Sequence, residues 1–99
     1  MAVQPLKVFE EIDPKLLKIV EDTRAFALAD GAIPKKYKFL IAMALDATHG
    51  TVDGTKSLAQ QAMNAGATKE EVTEALRVTQ FISGSGTVYT AGRALSELF

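Results

Sequence analysis

The sequence predicts an all-α, compact bundle of about five helices, and three observations predict it. Apolar residues recur at helical spacing in five stretches, with none of the sustained alternation that a strand needs. Each stretch is bracketed by residues that start or stop helices. The 99 residues are 47% apolar and 23% charged, the balance of an ordinary globular domain. A chain of that length forms a single domain over residues 1–99.

The first predicted helix starts at Asp13, a good N-cap. Pro14 takes the first helical position, where its missing N–H costs nothing. Leu16, Leu17, Val20, Phe26, Ala27 and Leu28 mark its apolar stripe, and Asp30-Gly31 ends it, Gly31 supplying a left-handed terminal residue. Pro34 opens the second helix, in which Leu40, Ile41, Met43, Ala44, Leu45 and Ala47 cover more than one face. Such a helix is central in its fold or buried between subunits. It ends near His49-Gly50. The third starts around residues 52–55, with Thr51 or Asp53 as cap, and runs through Leu58, Ala59, Ala62 and Met63 to Ala65-Gly66. Thr68 and Glu71 have the spacing of a capping box and open the fourth, which carries Val72, Ala75, Leu76, Val78, Phe81 and Ile82. Ser83-Gly84-Ser85-Gly86 breaks it, and the fifth runs from about Thr87 with Val88, Ala91, Ala94, Leu95, Leu98 and Phe99. Residues 1–12 carry no clear element, although Val3, Leu6, Val8 and Phe9 are apolar enough to lie on a neighbour. Apolar residues on nearly every helix of so small a domain predict a homo-oligomer.

Composition excludes several functions. Eleven Lys and Arg against twelve Asp and Glu leave a net charge of −1, which argues for neither nucleic acid nor an anionic membrane as partner. Cysteine is absent, so the chain has no disulfide, thiolate nucleophile, Cys-based metal site or dithiol chemistry of its own. His49 is the single histidine, and a site needing two His ligands would draw on several chains; no metal or cofactor is expected. The amino terminus lacks the apolar stretch of a signal peptide. The longest apolar run, residues 39–45, falls far short of the roughly 18–20 residues of a membrane span, so a cytoplasmic location is expected.

Two segments resemble a known family. Ala29-Asp30-Gly31-Ala32-Ile33-Pro34-Lys35-Lys36, followed by Leu40-Ile41-Ala42-Met43-Ala44-Leu45, is one. Ala62-Met63-Asn64-Ala65-Gly66-Ala67-Thr68-Lys69-Glu70-Glu71-Val72, continuing through Arg77, is the other. Both resemble the carboxymuconolactone decarboxylase and alkylhydroperoxidase D-like family, as do the small residues at Gly84-Ser85-Gly86. The resemblance implies an all-helical domain that forms trimers or hexamers. In the peroxidase branch a glutamate precedes a Cys-x-x-Cys pair and a histidine follows it. The matching positions here are Phe39, Thr51, Gly54 and Leu58. All four relay groups are replaced, and a threonine hydroxyl is a far poorer nucleophile than a thiolate. Peroxidase activity of the peroxiredoxin type is therefore not expected. The decarboxylase branch places a histidine where this chain has Leu58, with acidic residues before it, matched only by Asp53.

Some groups can still carry chemistry. Asp46 and His49 lie three apart near the end of the second helix, so a carboxylate could orient an imidazole for proton transfer. The alternative is a helix-terminal histidine favoured by the dipole and an Asp46 facing solvent or a subunit. Lys35, Lys36 and Lys38 crowd a helix start, either as an anion site or as three solvated lysines. Residues 83–87 could cradle a phosphate or simply allow a tight break. Two readings follow. One is a carboxymuconolactone decarboxylase-like enzyme, a lyase acting on a small anionic lactone or carboxylate. Its pocket would lie between the second, third and fourth helices, built on Phe39, Thr51, Gly54 and Leu58, with His49 and Asp46 moving protons and a lysine or Arg77 holding the anion. The other is a helical oligomer without catalysis that binds a ligand or a protein.

Overall fold

A computed structural model describes residues 4–99, so Val3 lies outside the described residues. The helices are α1 (Phe9–Ile12), α2 (Pro14–Leu28), α3 (Lys35–Thr48), α4 (Val52–Asn64), α5 (Lys69–Ser83) and α6 (Gly86–Leu95). The last five correspond to the five predicted helices. The single turn α1 falls in the span where no element was expected.

Local chemistry explains most boundaries. The Asp13 carboxylate accepts the Leu16 N–H at 3.0 Å, with Pro14 in the first helical position. Thr68 and Glu71 close a reciprocal capping box on α5, with bonds of 3.0 and 2.9 Å. Thr51 occupies the N-cap position of α4 without a side-chain capping bond, and Asp53 sits in the first turn. Gly84 (φ 89°) ends α5 in a conformation that favours glycine. Gly31 has no such role. α2 ends at Leu28, Ala29 is extended, and the Asp30 carboxylate instead accepts the Lys35 N–H at the start of α3. The connection is built to begin α3 rather than to close α2.

α3 and α4 pack most extensively, α6 lies against α4 and α5, and α5 also meets α3. The core joins Phe39, Leu40 and Met43 of α3 to Ala59 and Ala62 of α4, with Ala67 and Val72. Met63 packs at its edge, its flexible thioether filling the gap. Small residues, Thr55, Ala59 and Ala62 on α4 and Thr87, Thr90, Ala91 and Ala94 on α6, are buried. The four buried threonine hydroxyls donate to backbone carbonyls three or four residues earlier. Among the described residues no buried side-chain polar atom lacks a partner, and no helix is long and apolar enough to cross a membrane. Large apolar side chains, in contrast, stand mostly outside. α2 has no buried residue at all.

Candidate functional site

The elbow between α2 and α3 is fixed by short polar bonds. The Asp30 carboxylate holds the Lys35 N–H at 2.6 Å, and the Lys38 ammonium donates to the Ala29 carbonyl at 2.6 Å. Arg24 on α2 then reaches Gln61 on α4 and donates to its amide oxygen at 2.5 Å. These contacts hold α2 open against α3 and α4, and a cavity of about 520 Å³ remains between them.

One face of α2 lines it. Glu21, Ala25 and Leu28 recur at four and three residues, with Arg24 beside them. Lys35 and Phe39, one turn apart on α3, complete the wall with Gln61. Phe39 is buried and Leu28 half-buried, so the floor is apolar. Two cations and one carboxylate stand at the rim. Among the described residues, neither the Arg24 guanidinium nor the Lys35 ammonium lies within 4 Å of a carboxylate oxygen. Arg24 spends one donor nitrogen on Gln61 and keeps further N–H groups in a planar fork. Such a rim over an aromatic floor can hold a small molecule with a carboxylate at one end and carbon at the other.

The residues singled out from the sequence are dispersed. Phe39 borders this cavity. Gly54 borders a different one, of about 910 Å³, with Asp53, Lys56, Gln60 and Leu98. Thr51 is an exposed helix cap, and Leu58 packs on the core. His49 is exposed at the C-cap of α3, where its backbone N–H bonds to the Leu45 and Asp46 carbonyls at 3.2 Å. Asp46 is half-buried and turns toward α4: a β-carbon on Gly54 would collide with its Oδ2. Among the described residues no hydrogen bond or ion pair joins the side chains of Asp46 and His49. Arg77 lies in a groove between α5 and α6.

The three lysines also part company. Lys38 ties the elbow and Lys35 lines the cavity. Lys36 pairs with Glu71 of α5 at 3.3 Å and lies 5.0 Å from the centre of the Tyr37 ring. The hydrogen bond to Glu71 raises the Lys36 ammonium above the usual lysine range, and the nearby charge of Glu71 adds to it. Glu71 is held below the usual carboxylate range, first by the Thr68 N–H and then by Lys36. Glu21, Arg24 and Gln61 escaped the sequence reading. Their one signal was that α2 carries a second stripe, Glu21, Ala25 and Leu28, beside its apolar one. Among the described residues no three His, Cys, Asp or Glu side chains are grouped as metal ligands would be.

The family profile that matches covers residues 14–97, nearly the whole of this helical array, and is that of the carboxymuconolactone decarboxylase family. The chain belongs to the carboxymuconolactone decarboxylase family. The fold agrees: the chain is similar to the crystal structure of apo-lpg0406, a carboxymuconolactone decarboxylase family protein from Legionella pneumophila. The two share 30% identity with a TM-score of 0.87, over 93% of this chain and 82% of the other. Among curated proteins there is no match. Within this family, the chain is a cysteine-free member.

Proposed function

We propose that the chain binds a small organic carboxylate in the cavity between α2, α3 and α4, and acts on it without thiol chemistry, as a decarboxylase-like lyase rather than a peroxidase. One observation carries this reading: the Arg24 guanidinium and the Lys35 ammonium, which pair with no carboxylate among the described residues, line a cavity with Phe39 and Leu28. A cavity of about 520 Å³ lies inside the range that small ligands occupy. Loss of carbon dioxide needs a cation that orients the departing carboxylate and an acid that protonates the carbanion. Arg24 supplies the first. Glu21 is the carboxyl group that lines the cavity and is placed to relay a proton from solvent water to the carbanion, the water being left as hydroxide. His49 and Asp46 border none of this cavity and take no part in the reading.

Calorimetry with a panel of small lactone acids and dicarboxylates tests it. A charge-assisted hydrogen bond is worth about 1.5–3 kcal/mol, so Arg24→Ala should weaken binding roughly 10- to 150-fold. Carbon dioxide release from a bound acid should fall in Glu21→Gln while affinity holds. Failure of every small carboxylate to bind, or equal binding by Arg24→Ala, would overturn the proposal and leave a helical oligomer without catalysis.

A further inference from the structure

We infer that the outward face of α2 seats in the groove between α3 and α5 of a second copy of this chain. α2 has two faces. At 100° per residue, the cavity stripe of Glu21, Ala25 and Leu28 lies about half a turn from Leu16, Ile19, Thr23 and Phe26. That second stripe repeats at three- and four-residue intervals, as in helices that pack along a seam. It is largely uncovered: Leu16 is 42% exposed, Ile19 63% and Phe26 86%.

A matching surface lies across α3. Tyr37, Ile41 and Leu45 on α3 and Val78 and Ile82 on α5 line a charge-free apolar groove of about 430 Å³. Ile82 is 75% exposed, and the neighbouring Phe81 82%. The chain's own α2 cannot fill it. The elbow bonds and the Arg24–Gln61 contact hold α2 on the Lys35 and Phe39 side of α3. Tyr37, Ile41 and Leu45 are about 200° round that helix. The shapes are complementary, since a single helix is a ridge and a helix pair offers a groove, whereas two grooves set face to face leave a void. From their fractional exposures, the two surfaces present on the order of 1,200 Å² in all, so near-complete burial brings the contact to the lower end of the ~1,200–2,000 Å² of a specific interface. A ridge-to-groove contact is heterologous and closes as a ring when its rotation allows. The inference is independent of what the cavity binds.

The chain has no cysteine, so engineered pairs report cleanly. Ile19→Cys and Ile82→Cys are placed separately in the full chain, mixed and oxidised. The expected product is a disulfide-linked heterodimer of the two variants, and a chain with both substitutions should link into a closed oligomer. Self-linking of either single variant in preference to the mixed product would overturn the pairing, and so would uncrosslinked chains throughout. Light scattering gives a second readout. Ile19→Asp and Ile82→Asp should each run as single chains with unchanged helical circular dichroism, and their mixture should recover dimers through the one intact contact. A wild-type chain that scatters as a single copy at micromolar concentration, or a mixture that stays single, would end the inference.

Discussion

The Asp46 side chain fills the space that a side chain on Gly54 would need. The Asp46 carboxylate lies where a side chain on Gly54 would begin, beside the first turn of α4, where negative charge is favoured. Alanine in a helix interior ordinarily gains about 0.5–1 kcal/mol over glycine. Here the sign should reverse. Gly54→Ala should lower the melting temperature, because Asp46 must leave, and the same change in an Asp46→Ala background should be near neutral. Thr51 Cγ2, at 3.0 Å from the built β-carbon, prevents a full gain. Thermal melts of the four proteins should show coupling of about 0.5–3 kcal/mol, as for residues in contact. Additive effects would show that the two do not touch. None of this was legible in the sequence. Spacing put Asp46 on the side of His49, and only the tight turn that brings α4 back onto α3 assigns the carboxylate to Gly54. Arg24 was equally hidden, because its partner Gln61 is 37 residues away.

Helix ends were the most legible elements, because their chemistry is local. Asp13 with Pro14, Thr68 with Glu71, and Gly84 each act within one turn of their own position. Gly31 escaped that logic because Asp30 turned its side chain forward to Lys35. Thr68→Ala removes one half of the α5 box and should cost about 1 kcal/mol in denaturant unfolding. Glu71 adds a pH dependence. Its folded-state pKa is lowered, so its contribution is present above the ordinary glutamate range and fades as pH falls through the lower folded value. The raised Lys36 works in the opposite direction. Its contribution is complete at neutral pH and is lost only as pH rises through its raised value. The gap in melting temperature between wild type and Glu71→Ala should therefore be widest near neutrality and close towards acid. A gap that widened in acid would contradict the assigned sign.

At the scale of the whole molecule, small residues make up much of the interior and most large apolar side chains outside the Phe39, Leu40, Met43 and Val72 core are exposed. Composition foretold the helices and the surplus of apolar surface. It could not foretell the cavity, which exists because an elbow of six residues, 29–34, holds α2 away from the bundle. Absence of thiols predicts that metal-free protein turns over no peroxide with any dithiol reductant; turnover above a buffer blank would contradict this. The sparse footing of α2 has a consequence for its own persistence. A 15-residue helix with no buried residue has little to oppose the marginal stability of short helices in water. Its backbone amides should therefore exchange with solvent through a local opening that leaves the rest of the bundle folded. Mass spectrometry after deuterium labelling should find residues 14–28 protected in concentrated solution. On dilution that protection should fade while that of α3 and α4 persists. α2 would then melt as a unit of its own, with the supply of neighbouring copies setting its stability.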